Sequence, residues 1–255
     1  GSAPLLEGKA WLKIRFSIEQ ERATFLKKTL RPGLLLKISL PSGHALIIPG
    51  TTKDRHRQTK GLPSLKLRER SGRKRAIDYE IWNLSVVKDT PPEDLVEPLA
   101  TLADYSLRDS SLAPLTHGHS LLRQTLGLEA WSRSVSRDPV RLRSEVVRIV
   151  GQRSHGDQFG VVLSANELNQ TNRSCCVLAP LVQYQPSDSA DSGFLPLSVP
   201  ELTMRCGQSS VDLLNIQGFT NSQSTTLRLS PRLVLSRSDS KVWREVEKTL
   251  GRFYG

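Results

Sequence analysis

The sequence predicts a mainly β protein of α+β class, built from two successive units in which a small β-barrel is followed by a helix. Three observations lead there. Apolar runs of strand length recur along the chain, separated by Gly, Pro, Ser and Asp clusters. A pair of such runs, the second closed by a proline and a polar exit, occurs twice. The first copy is Leu34-Leu35-Leu36 followed by His44-Ala45-Leu46-Ile47-Ile48-Pro49-Gly50-Thr51-Thr52. The second is Phe159-Gly160-Val161-Val162-Leu163-Ser164 followed by Cys175-Cys176-Val177-Leu178-Ala179-Pro180-Leu181-Val182-Gln183. Each half also ends in a stretch of helical periodicity. The 255 residues suffice for two domains of about 110 residues each. Their bounds are drawn at 5–115 and 139–255, with 116–138 as the linker.

In order, residues 9–18 alternate apolar and polar, as a half-buried strand does. The polar stretch from Glu19 to Lys28 reads as an excursion or a short helix. Strands follow at 33–39 and 44–49, then a basic hairpin carrying Leu62, Leu65 and Leu67, then a strand pair between Ala76 and Val87. Thr90-Pro91-Pro92-Glu93-Asp94 has the marks of a helix start: a Thr cap, prolines in the first turn, and acids near the positive end of the dipole. Leu95, Val96, Leu99, Leu102 and Ala103 follow at helical spacing. Thr116-His117-Gly118-His119 reads as a break, and Leu121 to Trp131 as a linker helix. The two histidines have no third ligand nearby, so no metal site is expected.

In the second half, strands are expected at 143–150, 159–164 and 174–180, and around 194–199, 202–206 and 211–216, with a Ser/Asp-rich loop at 186–193. Ser238-Asp239-Ser240-Lys241 starts a terminal helix with Val242, Trp243, Val246 and Leu250 on one face.

Composition narrows the function classes. No stretch approaches the roughly 18 apolar residues of a membrane span, so no membrane partner is expected. The first residues lack the charged-then-apolar pattern of a secretory leader. Of three cysteines two are adjacent, Cys175 and Cys176, and no Cys-x-x-Cys spacing occurs. Neighbours on a strand point to opposite faces, so these thiols read as apolar fillers in a reducing, cytoplasmic setting.

The net charge of +11 favours an anionic partner. Between Lys53 and Arg75 stand Lys53, Arg55, Arg57, Lys60, Lys66, Arg68, Arg70, Arg73, Lys74 and Arg75, against only Asp54 and Glu69. A solvated loop would look similar. Because the run starts directly after Thr51-Thr52, contact with nucleic-acid phosphates is the preferred reading.

These residues resemble the MazF/PemK family of toxin endoribonucleases, whose fold is shared by the gyrase poison CcdB. The likeness covers roughly 11–107 and 143–254. The second half is similar to the family core through Val161 to Asn169, the Val177-Leu178-Ala179-Pro180-Leu181 strand, a Met204-Arg205-Cys206-Gly207-Gln208 strand, the Leu213 to Ile216 continuation and the terminal helix. In the first half, Arg31-Pro32 looks like the family's loop arginine. Pro49-Gly50-Thr51-Thr52 looks like its Pro-x-Thr-Thr/Ser hinge, and Asp78 falls where an Asp-Gln pair is frequent. The resemblance implies two tandem SH3-like barrels, each closed by a C-terminal helix. It further implies a monomer acting as an intramolecular pseudo-dimer, single-stranded RNA as partner, and an antitoxin or other protein as a second partner.

Cleavage of RNA by its own 2′-hydroxyl needs a proton acceptor, a cation at the crowded phosphorane and an acid for the leaving oxygen. The resemblance assigns this metal-free, cofactor-free work to Arg31 at the phosphate, Thr52 as a phosphate donor, and Asp78 as base or as the group orienting the arginine. Thr51, Lys53, Arg55, Arg57, Arg73, Lys74, Arg75 and Arg205 are the nucleic-acid contacts expected around them. Each also fits a plainer role: Arg31 as a turn anchor, Thr52 as a loop cap, Asp78 as the partner of a nearby cation. The family's acid before the loop arginine has no match in Leu26 to Leu30. In the second half Gln158-Phe159 stands for Arg-Pro, Val182 for the hinge hydroxyl and Gly207 for an acid, so that copy is expected to be inactive. The alternative function is a catalytically inactive module on the same fold that binds nucleic acid or protein.

Overall fold

The computed structural model describes residues 10–18, 27–37, 44–51, 65–69, 78–81, 88–90, 95–101, 105–107, 114–131, 136–149, 158–220, 224–226 and 232–255. They form mostly antiparallel β-sheet with a few helices, an α+β protein. They fall into two compact units that divide between Leu121 and Leu122. Among the described residues no helix is long and apolar enough to cross a membrane.

The first unit holds β1 (Ala10–Ile18), β2 (Lys27–Lys37), β3 (Ala45–Thr51), β4 (Leu65–Glu69), β5 (Asp78–Ile81), β6 (Lys88–Thr90), β7 (Leu95–Thr101) and β8 (Tyr105–Leu107). Strands β1, β2 and β3 make an antiparallel meander with β7 on its outer edge. The third strand divides its partners. Residues 45–47 pair with β6, whereas Gly50 and Thr51 pair with β5, which pairs in turn with β4. β8 adds to β4.

Helix α1 (Pro114–Thr125) crosses the division, and the second unit continues with β9 (Val146–Ile149), β10 (Gln158–Val162), α2 (Asn166–Thr171), β11 (Cys175–Gln183), β12 (Phe194–Leu197), α3 (Pro200–Cys206), β13 (Ser209–Asp212), β14 (Gln217–Thr220), β15 (Ser224–Thr226), α4 (Leu235–Ser238) and α5 (Ser240–Tyr254). Its pairing follows the same scheme. β9, β10 and β11 form a meander with β15 against β9. Residues 175–178 of β11 pair with β14 and residues 181–183 with β13, which pairs with β12.

The register agrees as well as the order. Gly33 faces Pro49 across β2 and β3, and Gly160 faces Pro180 across β10 and β11. A Cβ on Gly160 would lie 3.1 Å from the Ala179 carbonyl oxygen and 3.5 Å from Ile149 Cδ1, so this close backbone approach favours glycine. Counting from these pairs, residues 45–48 correspond to residues 176–179. Both runs are buried without alternation, as a central strand covered on both faces must be. Around β11 the core gathers Val147, Ile149, Val162, Cys176 and Leu178, with Phe219 packed against them.

Several local expectations are overturned. Where a helix is expected after Thr90, the chain forms β7. Pro98 explains it, since a helix interior there would lose a hydrogen bond and clash with the preceding turn. An edge strand tolerates the missing N–H, and the register against β1 shifts beside it, Leu12 facing Pro98 while Trp11 faces Ala100. The Thr116-His117-Gly118-His119 segment is not a break but lies inside α1. Pro114 stands in the first turn, where its absent N–H costs nothing, and one internal glycine costs only about 1 kcal/mol.

The same helix stops before the expected Trp131, in a Schellman motif. Gly127, with φ 69°, donates its N–H to Gln124 O at 3.1 Å, and Leu128 donates to Arg123 O at 2.8 Å. The strand expected at 202–206 is helix α3. Pro200 and Glu201 suit its first turn, and Gly207, at φ 74°, closes it by donating to Thr203 O at 3.0 Å. Beyond β13, where Leu213 still donates to Gly193 O at 3.0 Å, the chain turns because the Asp212 carboxylate accepts the N–H groups of Leu214 and Asn215 at 3.0 and 3.2 Å. The terminal helix begins as read, with Asp239 accepting from the Val242 N–H at 3.1 Å. Of the strand pair expected at 76–87, β5 is described and 82–87 lie outside the described residues.

One arginine ties the second unit together. Arg143 donates through Nη2 to Leu126 O at 2.8 Å and through Nε to Leu163 O at 3.3 Å, and pairs through Nη1 with the Glu247 carboxylate. Its guanidinium lies 5.0 Å from the Trp243 ring centroid. A Cβ on Gly127 would come within 2.6 Å of Arg143 Nε, so the helix cap and the arginine share one space.

The three thiols are reduced. Burial pushes the Cys175 thiol up, opposed by a hydrogen bond with Asn172, and Cys176 is fully enclosed. Alkylation of the native protein with iodoacetamide is therefore expected to modify Cys206 alone, and all three after unfolding. Rapid native labelling at Cys175 or Cys176, read by peptide mass, would contradict this packing.

Candidate nucleic-acid interface

Strands β2, β3 and β5 are neighbours in the first unit's sheet, and they carry the candidate positions. Arg31 is not on a loop, as the resemblance implied, but inside β2 opposite Ile14. The β2–β3 ladder begins at Gly33, so Pro32 stands just before it, opposite Lys13 in the β1–β2 ladder. Thr51 is the last residue of β3 and faces Glu80. Asp78 is the first residue of β5 and faces Arg68.

Successive strand residues alternate between faces, and directly paired residues share one. Arg31 lies two residues from Gly33 and Thr51 two from Pro49, so both share the face of that Gly–Pro pair. Glu80 joins them through Thr51, and Asp78 lies two residues before it. Lys66 and Arg68, opposite Glu80 and Asp78, share this face, and toward β1 it continues with Ile14 opposite Arg31 and Leu12 opposite Gly33. The other face of the β4–β5 ladder carries Leu65 and Leu67 against Ile81 and Tyr79. The backbone thus brings Arg31, Thr51 and Asp78 onto one face of three adjacent strands. It adds Glu80, which motif reading had not named, and Lys66 and Arg68 from the basic run. Alternation from Asp78 was the available signal for Glu80.

Thr52, Lys53, Arg55, Arg57, Arg73, Lys74 and Arg75 lie outside the described residues. The ends of the basic run are nevertheless fixed: it leaves β3 after Thr51 and has returned to β5 by Asp78. Arg205 does not join a sheet face, because it sits exposed in the last turn of α3.

Counting register from the two Gly–Pro pairs identifies the counterparts in the second unit. Gln158 corresponds to Arg31, Val182 to Thr51 and Ser210 to Glu80. The β11–β13 ladder extends by a bond from the Tyr184 N–H to Gln208 O at 3.1 Å, which sets Gln208 in the place of Asp78. Pro196 stands for Lys66. None of these five carries a charge. Ser210 instead donates to Asp188 Oδ2 at 2.6 Å, an oxygen that also accepts the Gln185 N–H at 2.9 Å. A groove of about 560 Å³ opens beside them, lined by Tyr184, Pro196, Leu197, Met204 and Gln208, with Met204 82% exposed. No cation stands at these five positions, and the Asp188 carboxylate beside them is engaged by Ser210 and the Gln185 N–H.

Among the described residues no three His, Cys, Asp or Glu groups stand together as a metal site would need. A scan against protein-family models gives no match to this chain, and a search of curated proteins gives none either.

Proposed function

We propose that this chain is an RNA-binding protein on a MazF/PemK-like scaffold, two tandem SH3-like barrels paired within one chain as a pseudo-dimer. The repeated strand order, the divided third strand and the matched Gly33–Pro49 and Gly160–Pro180 pairs support a duplication. One observation carries the binding reading. The basic run of 53–75 starts beside Thr51, contributes Lys66 and Arg68 through β4 opposite Glu80 and Asp78, and ends just before Asp78, and these positions share the sheet face of Arg31. Single-stranded RNA crossing that face would meet cations from both flanks.

Replacing Arg73, Lys74 and Arg75 together by alanine is expected to weaken binding about equally across RNA sequences. Each lost phosphate contact should flatten the salt slope by about 0.7, so by up to about 2 in total. Fluorescence anisotropy of labelled single-stranded RNA across a salt series measures it. An unchanged slope would mean that the run is only a solvated face.

Metal-independent endoribonuclease activity is the second reading, favoured by a cation and two carboxylates sharing one face: Arg31, Asp78 and Glu80. Against it, each acid has a basic residue directly across the ladder, Arg68 opposite Asp78 and Lys66 opposite Glu80, as a purely structural charge pattern would have. Incubating the protein with mixed single-stranded RNA in EDTA separates the two. Fragments with 5′-hydroxyl and 2′,3′-cyclic phosphate ends support the enzyme, and intact RNA held in a stable complex supports the inactive binding module.

A further inference from the structure

We propose that the exposed face of α5 docks the phosphodiester backbone of a nucleic-acid strand. The helix buries Trp243, Val246, Thr249, Leu250, Phe253 and Tyr254 on one side. Directly opposite, at successive intervals of three, four and four residues, stand Lys241, Arg244, Lys248 and Arg252, all exposed. At 3.6 residues per turn these spacings hold one line along the helix, and at 1.5 Å per residue the line runs about 16 Å.

The acids of α5 do little to cancel it. Glu247 is taken by Arg143, and Glu245 sits half-buried at the border of the row. Arg252 pairs with Asp191 at the far end, and Arg244 donates to its own helix at Ser240 O, 3.3 Å away. Lys241, Arg244 and Lys248 have no carboxylate within ion-pair distance among the described residues, and with Glu245 one turn from Lys241 and Lys248 the row keeps a net positive charge.

Charge complementarity selects the partner. An amphipathic membrane helix inserts its apolar face into lipid, and here that face is committed to the core, which leaves a membrane only the electrostatic pull of its anionic surface. A protein interface needs apolar or aromatic anchors at its centre, and the row contains none. A line of cations at regular spacing suits a polymer carrying one negative charge per nucleotide, with affinity supplied by counterion release. The row lies in the second unit and does not depend on the 53–75 run, so the two surfaces fail or succeed separately.

The test uses the full chain with Lys241→Gln, Arg244→Gln and Lys248→Gln combined, and a fluorescent oligouridylate as probe between about 50 and 300 mM KCl. With about 0.7 of salt slope per contact on a single strand, the triple variant should flatten the slope by up to about 2 and lose at least about tenfold in affinity at low salt. The single Lys248→Gln change should flatten it by about 0.7, which keeps the test open should the triple variant misfold. A slope equal to wild type in both variants overturns the proposal. So does a wild-type protein that ignores the oligonucleotide while binding phosphatidylserine vesicles. Loss of binding on replacing Arg73, Lys74 and Arg75, with none from the α5 variants, would keep the first unit's interface and remove this one. The reverse result would establish α5 and remove the basic run.

Discussion

Replacing Arg31 by alanine is expected to lower cleavage of single-stranded RNA more than about a hundredfold, if the second reading of the site holds. Removing one donor aimed at transition-state charge costs roughly 3 kcal/mol, which is that factor in rate. Binding should fall far less, because one phosphate contact among many carries little of the affinity. Glu80→Gln and Asp78→Asn separate the two acids on the same face. The one whose loss abolishes the basic-side dependence of the pH–rate profile is not the base; the one whose loss abolishes the acidic limb is. Thr52→Val should cost less than Arg31→Ala, and EDTA should change nothing. Cleavage that survives Arg31→Ala but dies on Arg205→Ala would move the chemistry to the second unit.

Replacing Arg143 by alanine is expected to destabilise the second unit by at least about 3 kcal/mol, because each charged hydrogen bond contributes roughly 1.5–3 kcal/mol and the cation–π contact about 1 kcal/mol. The change strips the Leu126 and Leu163 carbonyls of their donor, leaves Glu247 without its cation and uncovers one face of Trp243. Arg143→Lys should recover less than half, because an ammonium cannot span the same fork. Urea unfolding followed by tryptophan fluorescence reads it, and a loss under about 1 kcal/mol would show that the four contacts are individually dispensable.

Much of this architecture is legible in the residues, for reasons that also explain the errors. Alternation marks β1, continuous apolar runs mark β3 and β11, and the Asp239 cap with its buried stripe marks α5. Local signals failed where a stronger local rule was passed over. Pro98 forbids the helix that the Thr90 cap suggests, and Pro200 with Gly207 brackets a helix where β-like residues suggest a strand. The candidate site was legible as residue types but not as geometry. Arg31, Thr51 and Asp78 could be picked out singly. That Glu80 faces Thr51 and Arg68 faces Asp78 is a property of register between segments distant in sequence, which no window contains.

The outer edge of each meander has a consequence for how the chain is made. β1 leaves the ribosome about eighty residues before the strand that covers its open side, β7, Leu95–Thr101. Until that strand emerges, the nascent meander presents an unpaired row of backbone donors and acceptors with apolar residues beside them, a template for joining another chain. The second unit repeats the wait, since β9 is covered by β15 only after most of that unit has been synthesised. Closing each sheet therefore waits on a long-range pairing, the kind of contact that slows folding in general.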